Sequence, residues 1–97
     1  MDKENKPNEL DMMKELVSKM YGSDTLNYLI CALTTEDELS DETACDDAVR
    51  HLTLMKKALT VMKELPDEQK RKSLIKIIGD SLKFCKNRKK SLHAANK

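Results

Sequence analysis

Residues 41–65 read DETACDDAVRHLTLMKKALTVMKEL, and their periodicity decides the fold. At ~100° per residue, Ala48, Leu52, Met55, Ala58, Leu59, Val61 and Met62 fall on one broad arc of a helix, with Leu54 and Leu65 at its edge. Arg50, Lys56, Lys57, Lys63 and Glu64 take the remaining surface. An apolar arc covering about half of the circumference serves at least two neighbours. A helix from about Asp41 to Leu65 is therefore expected at the centre of a bundle. Ser40 is its expected cap, and Asp41 and Glu42 place carboxylates at the positive end of the helix dipole.

Downstream, Pro66 cannot continue that helix but fits the first turn of another, and PDE adds two carboxylates where a helix start favours them. The fourth helix is expected from Pro66 to around Ser91. Its apolar stripe is Leu74, Ile75, Ile78, Leu82 and Cys85, with Ile77 at the margin and Arg71 and Lys89 in line with it. The packed part spans about three turns, or roughly 18 Å, so the last turns are expected to project beyond the bundle.

Upstream, seven acidic residues lie between Glu36 and Asp47, in TTEDELSDETACDD. This stretch reads as a loop, and the spacing from Thr35 to Glu38 permits a capping box and a short turn near Leu39. Before it, LNYLICAL is apolar nearly all round, as in a short helix buried on several sides, beginning near Thr25 with Ser23 or Asp24 as cap. The first helix runs from Pro7 or Asn8 to Met20, with Leu10, Met13, Val17 and Met20 on one face and Gly22 as the stop.

The result is an all-α fold: a small single-domain bundle of about four helices, the third central, with a long basic C-terminal helix. Composition agrees. Hydrophobic residues are 39% and charged residues 36% of 97, with two Gly, two Pro and three aromatics, a balance that disfavours a β domain. The domain is expected over residues 7–92, with 1–6 and 93–97 as flexible tails. No apolar run approaches the ~18 residues of a membrane span, and MDKENKPNEL is unlike a signal peptide, so no membrane association is expected and the expected location is cytoplasmic. Three well-separated cysteines fit reduced thiols.

No catalytic constellation, metal site or cofactor site is expected, and no enzyme. Cys45 and His51 are six residues apart, which is not a shared helix face, and no Cys or His pair has ligand spacing. Cys85 lies near Lys83, Lys86 and Lys89, which would lower a thiol pKa, but its place on the stripe makes it a core residue, as does that of Cys31 in LICAL. Gly22 and Gly79 are isolated and form no phosphate loop; Gly79 is read as a close helix approach. His51, within the apolar arc, is expected either as a buried neutral histidine with one hydrogen bond or as part of a partner contact. The acidic stretch lacks the glycine and regular ligand spacing of a calcium loop.

SLKFCKNRKK, residues 81–90, carries five basic residues and no acidic one in a chain of net charge +1. Lys72, Lys76, Lys83 and Lys90 recur at i, i+4, i+11 and i+18, so they align within about 40°, flanked by Lys86 and with Arg88 nearby. That ridge, roughly 27 Å long, reads as a solvated face, a partner contact or an internal complement to the acidic stretch. Met12, Met13, Met20, Met55 and Met62 fill gaps in a core or line an adaptable groove. Short helices leave part of the broad arcs uncovered, so a homodimer or a groove for a partner helix is expected.

The function expected first is a non-enzymatic helical protein-interaction module, such as a small regulator, adaptor, inhibitor or chaperone, with Leu54, His51, Met55, Val61 and Met62 in the partner contact. The alternative is nucleic-acid binding, largely without sequence specificity, by the ridge of Lys72, Lys76, Lys83, Lys86, Arg88 and Lys90.

Overall fold

A computed structural model describes residues 8–23 and 25–95. The expected tail 1–6, a first helix beginning at Pro7, the Asp24 cap and positions 96–97 lie outside the described residues. Four helices form, and among the described residues there is no strand: α1 (Glu9–Tyr21), α2 (Thr25–Leu33), α3 (Glu42–Val61) and α4 (Glu68–Ala95). The third helix is central, as its broad apolar arc requires: α3 packs against α1 and, most extensively, against α4, while α2 rests on α1 and α4. Val17, Ile30, Leu52, Leu59, Ile78 and Cys85 meet in the interior with no accessible surface. Each aliphatic side chain so buried contributes about 1.5–3 kcal/mol relative to exposure.

The helix starts follow local hydrogen bonding. Asn8 caps α1 by accepting from the Asp11 N–H at 2.7 Å. Asp41 caps α3 by accepting from the Ala44 N–H at 2.8 Å, one residue after the expected Ser40. Between α2 and α3, the Glu38 N–H donates to Thr35 Oγ1 at 3.2 Å and the Leu39 N–H to the Thr35 carbonyl at 3.0 Å. This turn, anticipated from the spacing, drives Leu39 into the core, where it is fully buried. Gly22 follows α1 at φ −75°, so its stop uses no left-handed conformation.

The α3–α4 corner departs from expectation. The last helix-type bond of α3 is from the Met62 N–H to the Ala58 carbonyl at 3.0 Å, so the helix ends at Val61 rather than Leu65. Residues 62–67 then turn the chain. Asp67 takes a left-handed conformation at φ 61°, which Asp tolerates better than most residues, and its carboxylate accepts from the Lys70 N–H at 3.1 Å. Asp67 is thus the cap of α4, and Pro66 lies outside the helix instead of in its first turn.

Side chains from α1 and α4 hold this corner. Tyr21 Oη lies 2.7 Å from the Pro66 carbonyl and 2.9 Å from that of Asp67, and donates its proton there. Lys70 Nζ donates to the Tyr21 carbonyl at 2.6 Å, with the ammonium 4.9 Å from the Tyr21 ring centre. Arg71 is only 7% exposed, and its Nη1 donates to the Leu59 carbonyl at 2.9 Å, with Thr60 O at 3.4 Å. Those carbonyls belong to the last turn of α3, which has no later helical N–H to pair with. Arg71 therefore sits on the apolar stripe as a cap for the neighbouring helix.

The far end of α4 is also engaged, contrary to the expected projection. Arg88 Nε donates to the Leu39 carbonyl at 3.1 Å, Lys89 Nζ to Asp46 at 2.7 Å, and His93 Nδ1 lies 3.4 Å from Glu42. Leu92 packs against the core, and the helix continues to Ala95, past the expected boundary at 92. Twenty-eight residues make a rod of about 42 Å. That nearly matches the 45 Å longest extent of the molecule, whose shortest is 17 Å.

Arg71→Ala strands the α3 carbonyls and should lower unfolding free energy in urea by about 2–4 kcal/mol; a loss below about 1 kcal/mol would exclude the capping role. Tyr21→Phe should cost about 1 kcal/mol. Burial raises the Tyr21 phenol above its usual 10.0, the Asp67 charge adds to this, and Lys70 and Arg71 oppose it. The folded chain thus holds this proton more tightly than the unfolded chain. The associated stability is complete below pH ~10 and falls as pH rises through the folded pKa. Tyr21→Phe should accordingly remove part of the alkaline loss of stability.

Candidate interaction surfaces

The second helix is less enclosed than its composition suggests. Leu26 and Ile30 are buried, but Tyr28 is 75% exposed and Cys31 and Ala32 are also open. Its main neighbours are α1 and α4, and the side that carries Tyr28, Cys31 and Ala32 faces outward. Cys31 is a surface thiol, not a core residue.

Between α1 and α3 lies an open trough of about 300 Å³, lined by Glu9, Met12, Met13, Leu16, Arg50, His51 and Leu54. Met12 is 57% and Leu16 37% exposed, and both flank the buried stripe of α1 at i and i+4. Leu54 is half-buried beneath them. Arg50 and Glu9 close the rim at 2.8 Å; both are largely exposed, so the pair contributes under about 1 kcal/mol. His51 is exposed, not buried, with Nδ1 2.8 Å from the Asp47 carbonyl one turn earlier. It falls within the helical arc, yet no neighbouring helix covers it.

Of the five residues expected in a partner contact, Leu54 and His51 line this trough. Val61, 48% exposed, follows Leu54 by two turns along α3. Met55 and Met62 are buried core residues, because α1 and α4 cover the centre of the arc. Met12 and Leu16 were not expected at a site. Their i, i+4 spacing beside the core stripe was the available signal.

The second surface lies between α3 and α4. An open groove of about 420 Å³ is lined by Lys56, Ile75, Lys76, Gly79, Asp80, Leu82, Lys83 and Lys86. Lys72 and Lys90 extend the cationic face along α4, and Lys72 lies 3.5 Å from Glu68. Arg88 is not on this face. Two residues before Lys90 on a helix means about 160° around it, which turns Arg88 toward Leu39. Gly79 does not mark a close helix approach, since a Cβ built there meets nothing within 4 Å.

Cys45 and Cys85 are inaccessible, and burial raises both thiol pKa values above the usual 9.0. At Cys45, Arg88 opposes the rise and Asp46 adds to it. Such thiols stay protonated and shielded, which is the reverse of a nucleophile. Among the described residues, no group of three or more His, Cys, Asp or Glu side chains is placed to hold a metal ion. Nor is any helix among them long and apolar enough to cross a membrane. Comparison with known proteins finds no matching family model, no matching curated protein and no matching solved structure.

A thiol reagent should label Cys31 at once in the native protein and reach Cys45 and Cys85 only in denaturant; rapid native labelling of all three would contradict their burial. Gly79→Ala should raise stability by about 0.5–1 kcal/mol, because the helix gains propensity and the methyl group meets open space. Chemical denaturation measures this, and destabilisation would mean that the glycine is required by packing.

Proposed function

We propose that this chain is a non-enzymatic helical protein-interaction module of the cytoplasm, a small regulator, adaptor, inhibitor or chaperone that works by covering another protein. The carrying observation is the α1–α3 trough, where Met12 and Leu16 stand exposed over half-buried Leu54. Unbranched thioethers suit a contact that must adapt to its partner. A trough between two helices, apolar along its floor and charged at its rim, suits the apolar face of a third helix. Met12 and Leu16, four residues apart, offer two adjacent anchor points for such a helix. The occupant is therefore an amphipathic helix of a partner protein, and a second copy of this chain is the competing occupant that the test separates.

Met12→Glu/Leu16→Glu places carboxylates in the trough at exposed positions and should leave helicity and urea stability within about 0.5 kcal/mol of the wild type. It should weaken partner binding at least about tenfold, and oxidative footprinting of the wild-type complex should protect Met12. A concentration-dependent dimer in light scattering, dispersed by the same variant, would assign the trough to a second copy. A complex with unprotected Met12 and unchanged affinity in the variant would sink the proposal.

A further inference from the structure

The periodicity of α4 alone explains a solvated lysine face, but two features of the α3–α4 groove go beyond it. The facing wall also carries a lysine, Lys56, which the pattern of α4 does not dictate. Gly79 lies in the groove within the lysine array, where a glycine costs about 1 kcal/mol against alanine and the fold gives it no packing role. Its effect is to leave the groove floor open between Ile75 and Leu82, so that a ligand can approach the α4 backbone.

The four lysines of the groove face a single carboxylate, Asp80. From Ser73 to Lys90, Asp80 is the only acidic residue. Among the described residues, Lys56, Lys76, Lys83 and Lys86 make no ion pair, whereas Lys72 and Lys89 do. Lys76, Lys83 and Lys90 follow one another at intervals of about 10.5 Å along a straight rod. Protein interfaces are depleted in lysine and anchored by aromatic, Met and Arg side chains, which this groove lacks. A linear, repeating anion fits the lysines better than an acidic protein surface does.

We infer that the α3–α4 groove binds a nucleic-acid backbone, with Lys56, Lys76, Lys83 and Lys86 on the phosphates and Gly79 opening the floor. The lining contains no aromatic platform and no Asn, Gln or Arg for base edges, so binding is independent of sequence. The surface is separate from the trough proposed for a protein partner. Leu54 and Lys56 lie two residues apart on α3, hence about 160° around it, and the two sites share no residue.

The test follows the fluorescence anisotropy of a labelled oligothymidylate of about 20 nucleotides, with a duplex of equal length and polyglutamate as further arms. Four phosphate contacts on a single strand predict an affinity that falls about 50-fold between about 50 and 200 mM salt. Lys76→Glu/Lys83→Glu/Lys86→Glu should bind at least about tenfold more weakly and flatten that dependence. Lys19→Glu/Lys57→Glu/Lys63→Glu, with the same charge change on other exposed positions, should retain binding; circular dichroism checks both folds. Binding of neither nucleic acid at low salt, equal loss in the control variant, or polyglutamate bound as tightly as the oligonucleotide would each overturn the inference.

Discussion

The Arg71 guanidinium donates to the Leu59 and Thr60 carbonyls from a site that is 7% exposed, and the packing of α3 on α4 depends on that contact. Without a partner, the last turn of α3 would present bare carbonyls to the interior, a cost that would favour a longer or frayed helix. Lys70, the preceding residue, reaches the Tyr21 carbonyl at the end of α1. One turn of α4 thus closes two helix C-termini with two cations. The dipoles agree, since the negative ends of α1 and α3 meet the positive end of α4. Tyr21 returns the connection by donating to the Pro66 and Asp67 carbonyls, which helps to hold Asp67 at its left-handed angle. Arg71 Nε remains buried and unpaired among the described residues, so the net gain is smaller than the short bond to Leu59 and the longer one to Thr60 alone would give.

At the opposite end the charges of α3 and α4 also correspond, though more weakly. Lys89 and His93 on the last turns of α4 meet Asp46 and Glu42 on the first turns of α3. These pairs are largely exposed, so they fix direction more than they add stability. Lys89 shows the same pairing in its raised pKa, caused first by the hydrogen bond it donates to Asp46 and then by the Asp46 charge. The basic run of residues 81–90 therefore divides by helical angle. Arg88 and Lys89 turn inward to bind the loop and α3, while Lys83, Lys86 and Lys90 point away from the core.

The centre of the fold was legible because periodicity alone fixes it: the arc from Ala48 to Leu59 needed two neighbours, and α1 and α4 supply them. The ends were less legible. Asp41 instead of Ser40, Val61 instead of Leu65 and Glu68 instead of Pro66 each depend on a hydrogen bond that several local registers permit. Arg71 lay visibly in line with the stripe, but its acceptors lie 11 and 12 residues back across a turn, beyond any periodic pattern. The exposure of α2 was hidden for a different reason. Apolar composition records what a helix can bury, whereas Tyr28 and Cys31 are open because no fifth element exists to cover them among the described residues. For the candidate surfaces, sequence located the lysines of α4 but not Lys56 opposite them, nor the pairing of Met12 and Leu16 with Leu54, since each requires the relative placement of two helices.

The thinness of the molecule, 17 Å in its shortest dimension, bears on how its two surfaces relate. Lys56 and Leu54 belong to opposite sides of α3, and between them lies the buried row of Leu52, Met55 and Leu59. A ligand on either surface can influence the other only by moving α3 as a body or by repacking that row, because no polar side chain bridges the two grooves among the described residues. Both ends of α3 are tied to α4, through Arg71 at one and Asp46 with Glu42 at the other, so shifting α3 against α4 breaks several contacts at once. Its junction with α1 carries fewer such ties: Glu9 with Arg50 at the rim, and apolar contact beneath. If a partner helix fills the trough as proposed, the adaptation would fall on α1, whose exposed Met12 can repack without disturbing the lysine groove, and that asymmetry would leave both proposed surfaces open to occupation at once.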